Sequence, residues 1–119
     1  MATYTRKILS GSTDGKGILV VATASSGTTI HTGPASASTK QEVWLYAINT
    51  DYYQHTLTIQ YGGTTSPNDD IVLVIPAQVG LTLVVSGLML VGNATPLVIR
   101  AYADTASKVV VNGYVNEIV

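Results

Sequence analysis

The sequence contains no cysteine. A disulfide, a thiolate metal site and a cysteine nucleophile are therefore excluded, and the composition carries no redox signature of a compartment. Charge is almost as scarce. Asp, Glu, Lys and Arg make up 11% of the 119 residues, where a soluble domain usually carries about 25%. The six Lys and Arg are scattered rather than gathered into a stripe. The basic footprint of a nucleic-acid binder is missing, and no nucleic-acid partner is expected. Thr, Ser, Gly and Asn take the place of charge. Such a polar, weakly charged surface suits packing against other protein better than it suits a free monomer.

Long hydrophobic runs are also missing. From Ile71 to Ile99 there is no formal charge, but Pro76, Gln78, Gly80, Gly87, Gly92, Asn93 and Pro96 cut the stretch into "IVLVI", "LTLVV" and "LMLV". A spanning helix needs about 20 consecutive apolar residues, whereas these pieces have strand length. They predict buried strands and no membrane partner. The opening "MATYTRKILSGSTDGKG" lacks the apolar h-region of a signal peptide, and none is expected.

Helical periodicity with caps is absent too. Val, Ile, Thr and Tyr are abundant, and they favour a pleated, half-buried backbone. Strands are predicted over Thr3–Leu9, Gly17–Ala24, Thr28–Thr32, Glu42–Asn49, His55–Tyr61, Ile71–Ile75, Leu81–Val85 with Leu88–Val91, Leu97–Ala103 and Val109–Ile118. Clusters such as "SGSTDGKG", "TGPASAST" and "GGTTSPNDD" separate them as turns. This spacing predicts an all-β chain with a single antiparallel β-sandwich, jelly-roll-like, of about eight strands over residues 11–119. Residues 1–10 form either an N-terminal arm or an edge strand.

Alternation gives the burial. In "HTLTIQY", Leu57, Ile59 and Tyr61 share one face and Thr56, Thr58 and Gln60 the other, which predicts one core face and one outer face. "EVWLYAI" differs, because Val43, Leu45 and Ala47 oppose Trp44, Tyr46 and Ile48, all apolar or aromatic. "IVLVI" and "KVVV" behave likewise. Double-sided apolar strands in an antiparallel fold imply cover on the outer face, from a loop of the chain or from a neighbouring subunit. A chain this short has little to spare for cover, which favours a homo-oligomer.

Residues that carry chemistry form no catalytic constellation. Asn68, Asp69 and Asp70 are consecutive oxygen donors, yet Asx residues after a proline bond their own backbone, and they read as a turn rather than a cation site. The two histidines, His31 and His55, lie in strands and form no triad; a metal site with Asp51 is only weakly suggested. The seven acidic residues supply no carboxylate pair set across a sugar. No enzyme activity, metal or cofactor is expected. The best local candidates are contact residues. Tyr52 and Tyr53 fall in a loop between two strong strands, and Tyr4, Arg6 and Lys7 cluster near the start; Tyr and Arg are enriched where proteins touch.

The stretches "EVWLYAINTD", "HTLTIQYGGTTSPNDDIVLVIPAQVGLTLVVSGLML" and "VVVNGYVNEI" resemble small virion structural proteins of tailed bacteriophages. The resemblance covers most of the chain from Gly11 onward and rests on the order of its phrases. It implies a capsid decoration or cement protein that bridges capsid subunits, often as a homotrimer. The major capsid protein would be its partner, the virion surface its place, and the host cytoplasm its place of assembly. Other proteins of similar style belong to tails or head fibres. That alternative would make the chain a module binding host surface glycan, with Tyr52 and Tyr53 as stacking residues.

Overall fold

The computed structural model describes residues 2–119, among which no helix forms. Nine strands follow one another: β1 (Tyr4–Ile8), β2 (Ile18–Leu19), β3 (Thr28–Thr32), β4 (Lys40–Asn49), β5 (His55–Tyr61), β6 (Asp70–Ile75), β7 (Val79–Val91), β8 (Val98–Ala103) and β9 (Val109–Ile118). They build two antiparallel sheets. The first has the order β1-β9-β4-β7, with β2 also paired to β9, and the second has the order β3-β8-β5-β6. β1 and β2 lie along successive parts of β9, Tyr4–Ile8 beside Tyr114–Ile118 and Ile18–Leu19 beside Val110–Val111. They act as one strand interrupted by residues 9–17. Counted that way, the chain has eight strands in the orders 1-8-3-6 and 2-7-4-5, which is the jelly-roll winding of two Greek keys.

The core follows from alternation. Val43, Leu45 and Ala47 of β4, with Val109, Val111 and Val115 of β9, face Leu57 and Ile59 of β5 and Ile99, Ala101 and Ala103 of β8; all are buried. β4 is the central strand of the first sheet, paired to β7 on one side and β9 on the other. Both of its ends point a polar side chain inward. Asn49, fully buried, donates through Nδ2 to the carbonyls of Tyr53 (2.9 Å) and Pro76 (3.0 Å) and accepts the Asp51 N–H at Oδ1 (3.0 Å). Gln41 meets Nε2 of His31 through Oε1 (2.6 Å) and donates to Glu117 Oε1 (3.1 Å), and Glu117 in turn pairs with Lys7 (2.6 Å). A buried amide is stable only when its groups are paired, so these two residues fix the chain at both ends of the sandwich.

Three expectations differ from what forms. Gly17–Ala24 is not one strand: the regular ladder holds only Ile18 and Leu19, Val20 adds backbone bonds to Val109 and Ser107, and Ala22 already bonds Ala103 at the end of β8. Leu81–Val85 and Leu88–Val91 are one continuous strand, bent where its register against β4 slips between Val43 and Trp44. Gly87 sits there with φ +80°, a conformation that suits glycine, and its bulge keeps the ladder running. The polar face of β5 points away from the core as expected, but Thr58 and Gln60 on it are covered rather than exposed. Thr58 is flanked by Tyr102 and Val72, and Gln60 is buried under the loop before β3. Its amide accepts the Gly27 N–H and donates to Ser25 Oγ.

β1 is thus held as an edge strand by backbone pairing and by the Lys7–Glu117 pair. Deleting residues 1–7 should leave a folded sandwich whose melting temperature is lower by on the order of 5 °C or more. Calorimetry on the isolated protein checks this, and an unchanged melting temperature would contradict it.

Candidate functional site

The outer face of the first sheet carries the most unusual surface of the molecule. Trp44, Tyr46 and Ile48 of β4 point outward and are half-buried, as neighbouring strands shield their flanks. Across the β4–β7 ladder, Leu83 stands opposite Tyr46, Met89 opposite Glu42 and Val91 opposite Lys40. These β7 side chains are exposed, as is Leu81 at 62%. Across the β4–β9 ladder, Tyr114 stands opposite Trp44 and Val110 opposite Ile48.

An aromatic row crosses this face. The rings of Trp44 and Tyr114 stack at 6.3 Å and 14° between planes, and the Arg6 guanidinium lies 4.7 Å from the centre of the Tyr114 ring. On the far side Trp44 leans over Ser86 and Gly87, where β7 offers almost no side chain. The polar groups of the row satisfy one another. Trp44 Nε1 donates to Glu42 Oε1 (2.6 Å), Asn116 Nδ2 donates to the same oxygen (3.1 Å), and Arg6 Nε donates to Asn116 Oδ1 (3.2 Å). The Trp44 and Asn116 hydrogen bonds hold the Glu42 carboxyl below its usual range. A face whose polar groups are already paired loses little when a partner displaces water from it.

The expected contact residues divide between this face and two other places. Arg6 belongs to the aromatic row and Tyr4, 72% exposed, lies further along β1 opposite Ile118. Lys7 faces Glu117 instead. Tyr52 and Tyr53 are 79% and 74% exposed in the β4–β5 loop at the far end of the sandwich, in a molecule 48 Å long. The structure does not bring them together with Tyr4, Arg6 and Lys7.

The Tyr52–Tyr53 loop is clamped by His55. Its Nε2 meets Asp51 Oδ2 and its Nδ1 meets Asp104 Oδ1, both at 2.7 Å, and Asp104 also accepts the Thr56 N–H. Two carboxylates on the two ring nitrogens suit an imidazolium. The Asp51 hydrogen bond, helped by Asp104, raises the His55 pKa against the opposing effect of burial. The same contacts lower Asp51 and Asp104, and Lys108 adds to the lowering of Asp51. His31 is the opposite case. Burial lowers its pKa, the backbone N–H of Ser10 donates to Nδ1, and Nε2–H is left to donate to Gln41. Among the described residues no group of three or more His, Asp or Glu side chains is arranged so that it could hold a metal ion. Asp69 accepts the Thr65 N–H, four residues earlier in the same loop (3.0 Å), so its carboxylate bonds loop backbone.

The aromatic row and the His55 clamp were out of reach of the sequence pattern. Glu42 and Asn116 are 74 residues apart, and His55 and Asp104 are 49 apart. The available signal was the double-sided apolar character of Val43–Ile48. No family model, curated protein or solved structure matches the chain, so function is argued from these surfaces.

The His55 clamp has a defined pH signature. Because its folded pKa lies above the unfolded value of about 6.5, the folded chain binds the proton more tightly. Its contribution is full below that value and is lost as pH rises through the folded pKa. The depressed carboxylates contribute above about pH 4 and lose their contribution as pH falls through their folded values. His31 runs the other way from His55, contributing above about 6.5 and less as pH falls. His55→Asn should therefore lower stability most between about pH 5 and 6.5, with the gap to wild type narrowing toward pH 9. Urea unfolding across that range checks it, and a gap independent of pH would contradict the clamp.

Proposed function

We propose that this chain is a virion structural protein of the capsid-decoration kind, which works by binding and assembles with copies of itself through the outer face of its first sheet. The observation that carries the reading is that face: a row of Trp44, Tyr114 and Arg6 beside exposed Leu81, Leu83, Met89 and Val91 on an unpaired edge strand. An apolar patch of this breadth marks an interaction site. Four strands about 4.8 Å apart and about 33 Å long, as for the ten residues of β4, span on the order of 600 Å² before side-chain relief, close to the about 800 Å² per partner of a stable interface.

Several features favour a second copy as the occupant. β7 carries no charge along its length, and the net charge of −1 gives copies little reason to repel. Aromatic and Met side chains suit an interface centre, while Lys40, Glu42 and Arg6 suit its rim. Jelly rolls serve as viral capsid domains, and the resemblance to small phage virion proteins points the same way. A trimer so formed would bridge subunits of the major capsid protein on the particle surface. It would stabilise the shell because it binds only the assembled state, and many weak copies would add through multivalency.

The wild-type protein at micromolar concentration should sediment as an oligomer, with a trimer at three times the 12.5 kDa protomer. The double variant Leu83→Lys, Met89→Lys should sediment as a folded monomer and should fail to co-sediment with particles. Analytical ultracentrifugation decides the matter; a wild-type monomer throughout, or a variant that assembles like wild type, would overturn the assignment of this face.

A further inference from the structure

Arg100 stands on the outer face of the second sheet, opposite Thr29 of β3 and Gln60 of β5. A cavity of about 370 Å³ opens beside it, in the size range of small-ligand pockets. Its walls come from three loops: Ser26 before β3, Gly62 to Thr64 after β5, and Thr95 to Leu97 before β8. No ion pair among the described residues uses Arg100. Its half-buried guanidinium thus presents a planar fork of N–H donors with no carboxylate of its own chain to meet.

Each wall is pinned from behind. The buried Gln60 amide holds Ser25 and Gly27, which bracket Ser26. Asp69, the nearest acidic residue in sequence to the Gly62–Gly63 step, packs its carboxylate against Gly63 and spends one oxygen on the Thr65 N–H, which holds that wall in place. Asn93 Oδ1 accepts the Thr95 N–H (3.3 Å), and the Leu97 carbonyl accepts the Gly33 N–H (2.7 Å). Gly62, with φ +81°, turns the chain sharply out of β5 and so forms the rim. A site held in shape before its ligand arrives loses less entropy on binding.

We propose that this cavity binds a small hydroxylated carboxylate of the acidic-monosaccharide class. Arg100 takes the carboxylate as a two-pronged donor. The hydroxyls of Ser26, Thr64 and Thr95 match ring hydroxyls, each able to donate or accept. Leu97 and Pro96 offer an apolar wall to the C–H face of a sugar ring. The site lies on the sheet opposite the assembly face, so it stays open when copies associate, and it does not depend on that assignment.

The test is a titration of the full, isotope-labelled chain followed by amide resonances. The probes are N-acetylneuraminic acid and glucuronate, with galactose and acetate as comparisons. Either acidic sugar should give saturable shifts at Gly62, Gly63 and Thr64 in the millimolar range. Galactose and acetate should each bind at least about tenfold more weakly, the scale of losing one charged hydrogen-bonded contact or its neighbours. Arg100→Gln should weaken the acidic sugars by at least about tenfold, and Arg100→Lys by less, because it keeps the charge and loses the fork. Both variants should keep the remaining resonances in place. No saturable shift up to about 20 mM, equal binding of acetate or galactose, or an Arg100→Gln titration like wild type would each overturn the proposal.

Discussion

Strand β4 has two apolar faces and only one core to bury them in. That constraint organises the molecule. Val43, Leu45 and Ala47 are fully buried between the sheets, so Trp44, Tyr46 and Ile48 must face outward by the two-residue period of the strand. The chain then arranges partial cover for them. Tyr114 stacks on one side of Trp44, Gly87 opens a shallow seat on the other, and Glu42, Asn116 and Arg6 tie off the polar atoms. None of this hides the aliphatic residues of β7. The jelly-roll winding leaves β7 at one edge of the first sheet and β6 at the same side of the second, and exposed Val72 and Val74 extend the apolar character onto that edge. Unprotected edges of this kind are rare on free monomers, because they invite pairing.

The polar groups inside the molecule have a different task. Gln41 and Asn49 plug the two ends of β4, and His55 locks the loops that meet at one of those ends. The Asp51–His55–Asp104 contact uses both ring nitrogens of His55. It holds the loop that displays Tyr52 and Tyr53. At the side of the sandwich where the two unpaired edge strands lie, Tyr61 donates its hydroxyl to the Leu88 carbonyl, and burial pushes its phenol up to about 12. These fixed points give a block with defined surfaces, which suits the proposed role in assembly.

Much of the fold was legible in the sequence because its strands are short, β-branched and bounded by Gly, Pro, Ser and Asn. His55–Tyr61 and Val109–Ile118 were readable to the residue. The failures share one cause, contacts between distant segments. Thr58 and Gln60 alternate like an exposed face, yet Gln60 is covered by Ser25–Gly27, 33 to 35 residues away in the chain. Ser86 and Gly87 interrupt the apolar run and divide the expected strand into Leu81–Val85 and Leu88–Val91, yet pairing with β4 carries β7 through them by way of a bulge. Of the candidate site, the excess of apolar residues on β4 was visible. Its depth was not, because the stacking of Tyr114 on Trp44 depends on the register between β4 and β9.

Trp44 is the only tryptophan and lies at the centre of the proposed assembly face. Its fluorescence therefore reports on that face alone. Acrylamide quenching, measured from dilute to high protein concentration and again on decorated particles, tests whether the face becomes covered. The account predicts a quenching constant that falls several-fold on assembly, with an emission shift to shorter wavelength. A Trp44 equally open to quencher in dilute, concentrated and particle-bound protein would contradict it.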